Sequence, residues 1–221
     1  MLPSLSGPVL KPAYGGAARQ LVVLLHGVGA DGSDLIGLAP YWAPLLPEAE
    51  FIAPDAPFPC DMAPFGRQWF SLQDRTPAVL FAAVRATAPI VDAFLDAALR
   101  ARGLDDSRLA LVGFSQGTMM SLYVGLRRSL APAGIVGYSG ALVGAETLEQ
   151  EIRVRPPVLL LHGDADEVVP PRVQPLAVAA LEAAGVPVES LTRPGLGHSI
   201  DEVGLQRGGA FLQRVLGGAP T

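Results

Sequence analysis

The chain alternates short, wholly apolar runs with longer segments of helical periodicity, and this alternation is the feature that most limits its fold. The runs at 21–25, 109–112 and 158–161 are apolar at every position. Such runs are typical of parallel strands that are covered on both faces. Strands that alternate with helices predict βαβ units. We therefore predict an α/β fold in which helices cover both faces of one mostly parallel central sheet.

The other elements follow from weaker patterns. Further strands are expected at 51–53 and 134–138, with a shorter edge strand at 188–191, and helices are expected at 78–101, 116–129, 172–184 and 200–216. Pro89 should kink the first helix or divide it in two, because proline disrupts a helix interior. Ser199 and Glu202 have capping-box spacing at the start of the last helix. The length predicts one domain over residues 1–221.

Residues 54–77 interrupt this alternation. The segment is rich in proline, contains Trp69 and Phe70, and shows no helical pattern. Excursions of this length in a compact domain are more often functional than idle. We therefore expect this segment to contribute to function.

Composition excludes several classes of protein. Half of the residues are hydrophobic and only 17% are charged, which argues against a disordered chain. A formal net charge of -5 argues against a nucleic-acid partner, because phosphate binding needs a basic surface. The single cysteine, Cys60, can form neither an internal disulfide nor a cysteine-rich zinc site. It fits a reducing compartment, and we expect a cytoplasmic protein.

The ends and the apolar stretches also bear on membranes. The first residues lack a basic region followed by a continuous apolar stretch, so no signal peptide is predicted. The longest apolar region, 79–99, is interrupted by Arg85, Asp92 and Asp96. On these charges we predict no membrane span.

The motif Gly-Phe-Ser-Gln-Gly at 113–117 is the first candidate for chemistry. Alone it is weak evidence, since a shuffled chain with this composition would contain it roughly one time in seven. Its context is stronger, because a strand precedes it and a helix follows it. A strand-turn-helix of this kind forms a nucleophile elbow, which lifts the Ser115 hydroxyl above the sheet. Side chains at Gly113 and Gly117 should collide with the neighbouring strand and helix.

Three histidines are candidate bases for Ser115, and all three follow predicted strands. In α/β-hydrolase sheets the order along the chain is serine, then acid, then histidine. Only His198 follows both Ser115 and acidic candidates. His26 and His162 each begin a His-Gly turn, and we expect their ring nitrogens to bond nearby loop backbone.

The acid should lie between Ser115 and His198. Asp164, Asp166 and Glu167 all follow the strand at 158–161. We prefer Asp166, which would hold the tautomer of His198 and stabilise its imidazolium form. Asp164 is the alternative acid, although it could instead fix the turn by bonding backbone N–H groups.

Two backbone amides are expected to form an oxyanion hole. One is Gln116, which follows the nucleophile, and the other is Val28 in the glycine-rich turn after the first strong strand. This turn matches neither of the glycine-rich motifs that bind nucleotide phosphates. We expect no cofactor and no metal.

Four sequence blocks together resemble a known family. They are LLHGVGADG at 24–32, RQWFSL at 67–72, GFSQGT at 113–118, and HGDADEVVP at 162–170 followed by GLGHSI at 195–200. In order and spacing they resemble the phospholipase/carboxylesterase family of α/β hydrolases, which includes acyl-protein thioesterases and small bacterial carboxylesterases. The resemblance implies an α/β-hydrolase fold without a large lid domain.

The resemblance also implies roles for single residues. Ser115, Asp166 and His198 match the family triad, and Val28 and Gln116 match its oxyanion positions. Two further residues are implied in substrate binding. Trp69 would wall the acyl-binding cleft, although a hydrophobic plug under a long loop is the simpler alternative. Thr118 stands where the family usually has glycine, and would narrow or polarise the floor near the nucleophile. Ser71 stands where aspartate is common, so both departures bear on chain-length preference.

The expected function is a cofactor-free serine carboxylesterase acting on small-molecule esters, with thioesters as an extension. A lysophospholipase or acyl-protein thioesterase with the same triad is the nearer alternative. A non-catalytic binding protein is the remote one, because a fold does not imply a function. A homodimer would fit the family, and no stable membrane insertion is expected.

Overall fold

A seven-stranded sheet forms the centre of the fold in this computed structural model, which describes residues 3–217. The strands are β1 (Val9–Leu10), β2 (Gln20–Leu25), β3 (Ala49–Ile52), β4 (Phe58–Pro59), β5 (Arg67–Gln68), β6 (Leu109–Phe114), β7 (Gly134–Tyr138), β8 (Val158–Gly163) and β9 (Val188–Arg193). The sheet order is β1-β3-β2-β6-β7-β8-β9, and β4 and β5 form a separate hairpin. The prediction of one domain covers residues 1–221, of which 1–2 and 218–221 lie outside the described residues.

Seven helices accompany these strands in the described part of the chain. They are α1 (Gly32–Leu35), α2 (Ala39–Trp42), α3 (Pro77–Arg100), α4 (Gln116–Gly125), α5 (Leu148–Glu151), α6 (Val173–Ala183) and α7 (Glu202–Leu216). The predicted helix at 116–129 therefore ends earlier, at Gly125. The short helices α1, α2 and α5 were not predicted, because one turn is too short to show a periodic pattern.

The sheet is parallel from β3 to β9, and only β1 runs antiparallel to its neighbour. This confirms the predicted mostly parallel sheet, and β9 is the edge strand as expected. The strand predicted at 51–53 from a weaker pattern is β3, which pairs with both β1 and β2. Sequence patterns missed β1, because two residues carry no periodicity.

Alternate residues of β2 face opposite layers of helices. Leu21, Val23 and Leu25 belong to the apolar core shared with α3, α4 and α6. Val22 and Leu24 belong to a second core that includes residues of α2 and α7. Because side chains of a strand alternate between its faces, a run that is apolar at every position requires cover on both sides. The prediction of helices on both faces is confirmed.

Helix α3 is not divided at Pro89, which was one of the two outcomes predicted there. It is one helix of 24 residues that continues through Pro89. Val84 before the proline and Val91 after it are buried in the same core, which holds the two halves together. By length and composition alone, α3 would also pass as a membrane span. Its buried side chains show that α3 belongs to the core of this domain instead.

Helix α7 begins differently from the prediction. Its N-cap is Asp201, whose side chain accepts a hydrogen bond from the Gly204 amide at 2.8 Å. Ser199 is exposed in the preceding loop. Aspartate caps a helix as well as serine does, and the Asp201 carboxylate is also held by Arg193 at 2.8 Å. The capping-box prediction was therefore wrong by two residues.

The parallel strands all end at one edge of the sheet. Loop 26–30 follows β2, Ser115 follows β6, loop 164–169 follows β8 and loop 194–200 follows β9. In open α/β sheets, ligands bind beyond the carboxyl ends of the strands. The fold thus gathers the candidate residues at the expected edge.

Candidate active site

Ser115 lies in a strained turn between β6 and α4. Its φ of 54° and ψ of -114° are unusual for a residue with a side chain. Strain of this kind persists only where surrounding structure enforces it, and it is common at functional sites. Here the Ser115 amide donates to the Tyr138 carbonyl at 2.9 Å, which ties the turn to the end of β7. Sequence and structure therefore agree on a tight strand-turn-helix at Ser115, the geometry that a nucleophile elbow requires.

The two glycines of the motif are required by close packing. A Cβ on Gly117 would overlap the carbonyl oxygen of Leu25 in β2, and one on Gly113 would overlap the backbone at Gly117 and Thr118. Neither obstacle is a flexible side chain that could move aside. The helix can therefore approach the strands this closely only with glycine at both positions.

Thr118 is part of the elbow's support and has almost no exposed surface. Its Oγ1 atom lies 2.8 Å from the carbonyl oxygens of both Gly113 and Tyr138. Its side chain also fills the space that a Cβ on Gly137 or Gly140 would need. The predicted role in the floor of the substrate site is not what the structure shows, since Thr118 is buried between the ends of β6 and β7.

His198 and Asp166 meet beyond the ends of β8 and β9. The His198 Nδ1 atom lies 2.7 Å from Asp166 Oδ2. The His198 ring also packs against the Phe114 ring, with centroids 4.9 Å apart, directly beside Ser115 in the chain. The carboxylate of Asp166 is fully buried. The sequence-predicted acid and base are thus brought together next to the elbow.

The Asp166 carboxylate is held by its own loop. Its Oδ1 atom accepts hydrogen bonds from the amides of Val168 at 2.9 Å and Val169 at 2.8 Å. Burial raises the pKa of Asp166, but the hydrogen bonds from His198 and these amides outweigh it, so the pKa lies below its usual value. Asp166 is therefore ionised when it faces His198.

Asp164 takes the alternative role that its sequence position suggested. It is exposed, and its Oδ1 accepts a hydrogen bond from the Gly195 amide at 2.6 Å. This bond ties the loop after β8 to the loop that carries His198. Between the two aspartates, the structure brings Asp166 to the histidine and gives Asp164 a backbone contact.

The other two histidines bond loop backbone, as expected. His26 Nε2 accepts from the Ala56 amide at 3.0 Å, so the proton is on Nδ1, which lies 2.7 Å from the Gly27 carbonyl. Burial lowers the pKa of His26, which favours this neutral form. His162 Nε2 lies 2.9 Å from the Val169 carbonyl and 3.2 Å from Asp166 Oδ2. His162 thus also contacts the acid.

The loop after β2 lies beside the elbow, where an oxyanion hole would form. A Cβ on Gly27 would be 3.4 Å from Ser115 Cβ. In residues 3–217 the Val28 amide has no hydrogen-bond acceptor. Gln116 is the first residue of α4, and the first amides of a helix have no acceptor within it. Val28 follows Gly27 and Gln116 follows Ser115, so both predicted donors belong to segments that meet at Ser115, and their N–H groups are available.

Trp69 is buried beneath the site and has no exposed surface. Its indole N–H donates to the His26 carbonyl at 2.9 Å, and its backbone amide donates to Gln116 Oε1 at 2.8 Å. A side chain without accessible surface cannot wall an acyl cleft in this conformation. The expectation of a substrate-binding wall is corrected in favour of a buried support.

Comparison with known proteins decides what kind of site this is. A family model described as phospholipase/carboxylesterase matches residues 13–216, which is nearly the whole chain. The chain belongs to the phospholipase/carboxylesterase family. It is a carboxylic ester hydrolase with the α/β-hydrolase fold.

Individual members of the family agree over most of their length. Esterase YpfH of Escherichia coli strain K12 is 30% identical over 189 residues, which cover 86% of this chain and 80% of the relative. Acyl-protein thioesterase 1 of Neurospora crassa is 29% identical, with 87% and 84% covered. The crystal structure of esterase PE8 has a TM-score of 0.93 at 42% identity, covering 97% of this chain and all of that one.

The β4–β5 hairpin is the part of this family member that sequence reasoning missed. Its base is bonded to the loop after β2, since the Gly29 amide donates to the Arg67 carbonyl and the Arg67 amide donates to the Ala30 carbonyl, both at 2.8 Å. Its tip exposes Met62 and Phe65, at 53% and 74%. Two-residue strands give no periodic signal, and only the aromatic and proline content marked this segment.

The described part of the chain holds no group of three or more histidine, cysteine, aspartate or glutamate side chains that could bind a metal ion. The predictions that this esterase needs neither metal nor cofactor stay predictions.

Proposed function

We propose that this hydrolase is a serine carboxylesterase that works through an acyl-enzyme, with Ser115 as nucleophile, His198 as base and Asp166 as its partner. The observation that carries the proposal is the 2.7 Å contact between His198 Nδ1 and Asp166 Oδ2, formed beside a serine in a strained turn. This contact places the Nδ1 proton toward the carboxylate. The Nε2 atom of His198 is then free to act as a base.

The first half-reaction forms the acyl-enzyme. Ser115 Oγ attacks the ester carbonyl carbon while His198 Nε2 takes the hydroxyl proton. Negative charge develops on the carbonyl oxygen, where the amides of Val28 and Gln116 donate hydrogen bonds, and the positive end of α4 adds to this stabilisation. The tetrahedral intermediate collapses as His198 returns its proton to the leaving alcohol or thiol.

The second half-reaction releases the acid. His198 Nε2 removes a proton from water, and the resulting hydroxide attacks the acyl carbonyl. The same two amides stabilise the second oxyanion. The Ser115–acyl bond breaks, the serine regains its proton from His198, and the carboxylic acid leaves.

The direct test is Ser115→Ala with p-nitrophenyl butyrate. We expect activity to fall at least about 10⁴-fold and labelling by a fluorophosphonate probe to disappear. Ser121→Ala is the matched control, because it removes a buried hydroxyl from the same region whose oxygen has no partner in the described residues. Near wild-type turnover in Ser115→Ala would disprove the mechanism.

The rate should also depend on pH through the base. We expect kcat/KM to be lower at about pH 5 than at about pH 8, because a histidine base accepts a proton only in its neutral form. A rate that does not change across this range would contradict a histidine base.

Acyl-protein thioesterase or lysophospholipase activity is a second candidate for the same residues. It is supported by the relatives named acyl-protein thioesterase 1 and by the exposed apolar tip of the β4–β5 hairpin beside the oxyanion loop. A panel of p-nitrophenyl esters from two to sixteen carbons, with matched thioesters, separates these candidates. A carboxylesterase should show its highest kcat/KM on short oxygen esters, whereas a thioesterase should show its highest kcat/KM on long thioesters.

The remaining functional expectations rest on the sequence. A cytoplasmic location, a homodimer and the absence of nucleic-acid partners and of stable membrane insertion stay predictions.

A further inference from the structure

The two amides proposed for the oxyanion hole come from separate parts of the chain. Val28 lies in the loop after β2, and Gln116 begins α4 after β6. Hydrogen bonds from donors to an oxyanion are effective only when both donors are fixed about 3 Å from the same point. Something must therefore set the distance between the two segments.

Trp69 contacts both segments directly. Its indole N–H donates to the carbonyl of His26, two residues before Val28, at 2.9 Å. Its backbone amide donates to the side-chain oxygen of Gln116 at 2.8 Å. The side-chain nitrogen of Gln116, Nε2, donates to the Phe70 carbonyl at 2.7 Å. The two donor segments are thus joined through one residue and its neighbour.

The joint is rigid because its members are buried and otherwise satisfied. His26, Trp69 and Gln116 have no exposed surface, and the Trp69 carbonyl accepts from Thr87 Oγ1 at 3.0 Å. The His26 and Trp69 rings also pack with centroids 5.5 Å apart. Buried polar groups that lose a partner cost free energy, so each bond resists displacement of its segment.

We propose that Trp69 is a positioning residue that sets the geometry of the oxyanion hole, by bonding the Val28 loop through His26 and α4 through the Gln116 side chain. This inference depends on the proposed serine mechanism. It gives Trp69 a role in the reaction that requires no contact with the substrate. Trp69 acts through the His26 carbonyl and the Gln116 side chain, and it does not touch the reacting atoms.

The test replaces Trp69 and a matched tryptophan elsewhere. Trp42 is equally buried, and its indole N–H also donates to a backbone carbonyl, that of Leu205, at 2.9 Å. It lies in the core on the opposite face of the sheet. Trp69→Phe and Trp42→Phe therefore remove the same atoms and the same kind of bond, and differ in what that bond holds.

Two measurements report on the oxyanion hole. One is kcat and KM for p-nitrophenyl butyrate. The other is inhibition by an alkyl trifluoromethyl ketone, whose carbonyl carbon bonds Ser115 Oγ to give a bound oxyanion. For Trp69→Phe we expect kcat and ketone affinity each to fall about 10- to 100-fold with KM within about 3-fold, the signature of an interaction made in the transition state. For Trp42→Phe both should stay within about 3-fold.

A second variant removes only the N–H group, in case Trp69→Phe fails to fold. The chain has only two tryptophans, so in the Trp42→Phe background benzothienylalanine can replace tryptophan at position 69 alone. This analogue keeps the double ring and has sulfur in place of N–H. The same loss of kcat and ketone affinity supports the proposal.

Two results would overturn it. One is an equal change in kcat and ketone affinity for Trp69→Phe and Trp42→Phe. The other is a rise in KM for Trp69→Phe with kcat unchanged. Failure of this proposal is distinct from failure of the serine mechanism. The latter would show as activity that survives Ser115→Ala, or as a wild-type protein that the fluorophosphonate probe does not label.

Discussion

The two sides of the active site are held in different ways. On the oxyanion side, loop 26–30 is bonded to Trp69 and Arg67, which lie about forty residues further along the chain. On the acid–base side, Asp166 is held mainly by amides two and three residues later. The first side depends on buried bonds to a distant segment, whereas the Asp166 carboxylate, although also buried, is held by amides of its own loop.

This difference fits what each side does in the reaction. Oxyanion donors must be fixed before charge develops, and a buried network gives such preorganisation. In the proposed mechanism His198 accepts and returns a proton twice, and its side chain keeps 17% exposure. Substitutions on the acid–base side should therefore lower the rate by impairing proton transfer. Those on the oxyanion side should lower it by displacing the amide donors.

Among the substitutions that compare the two sides, the largest effect is expected for Asp166→Asn. The amide cannot hold the correct tautomer of His198 or stabilise its charged form, so kcat should fall about 10³- to 10⁴-fold. Asp164→Asn is the matched control, because its side-chain oxygen can still accept from Gly195, and it should stay within about 3-fold. Steady-state kinetics on p-nitrophenyl butyrate decide this. An equal loss in both variants would mean that the acid has been misassigned.

A smaller effect is expected when the guanidinium contacts at the base of the hairpin are removed. Arg67 Nε donates to the Ala56 carbonyl at 2.8 Å, and its guanidinium also bonds the Pro57 carbonyl at 3.0 Å. Arg67→Met should lower kcat about 10-fold, because small displacements of distant supports reduce rate. Arg75→Met, which loses only a local exposed contact, serves as control. Unchanged kcat for Arg67→Met would show that the backbone bonds alone fix the loop.

The pH dependence of stability should also distinguish the two sides. Burial lowers the pKa of His26 in the folded chain, although Asp55, Asp31 and Asp34 oppose this. The unfolded chain therefore binds a proton first as pH falls below about 6.5, and the free energy of unfolding should drop by up to about 1.4 kcal/mol per pH unit. Urea unfolding between pH 7 and 5 measures this.

The control for this dependence is His26→Gln, which removes the titrating ring from the oxyanion side. Its free energy of unfolding should fall less steeply over the same range. Asp166 contributes in a different window, since its lowered pKa gives stability that is lost only as pH falls below about 4. Equal slopes in wild type and His26→Gln would contradict a buried neutral His26.

The smallest effect on rate is expected at Thr118. Thr118→Ser keeps the hydroxyl that bonds the ends of β6 and β7 and removes a buried methyl group. We expect a loss of about 1 kcal/mol in unfolding free energy and a change in kcat/KM within about 2-fold. A large shift in acyl chain-length preference would instead show that Thr118 reaches the substrate.

Local patterns carried much of the fold and of the candidate site. Runs such as 21–25 predicted strands covered on both faces, because neighbouring residues of a strand face opposite layers. The elbow could be read because Gly113, Ser115 and Gly117 are close in sequence. The pair of Asp166 and His198 came from the order of residues along the chain together with a family resemblance.

Other features have no local signal. The strands β1, β4 and β5 are two residues long, so no periodicity marks them. Pro89 suggested a break in the chain's helical pattern. The helix α3 nevertheless continues, because residues before and after the proline are buried in the same core. Asp201 replaced Ser199 as N-cap, with Arg193 from β9 holding its carboxylate.

By itself, the sequence determined the parallel sheet, the elbow and the candidate acid and base, since each depends on residues near one another in the chain or on the order of strand ends. Only the tertiary structure decided what Trp69 and Thr118 do. The sequence left a cleft wall or a buried plug open for Trp69 and placed Thr118 in the substrate floor, and both side chains are buried supports. The physical reason is that a side chain's role depends on which distant carbonyls and amides it meets, and those partners, such as His26 and Gln116 for Trp69, are set by packing across the sheet edge.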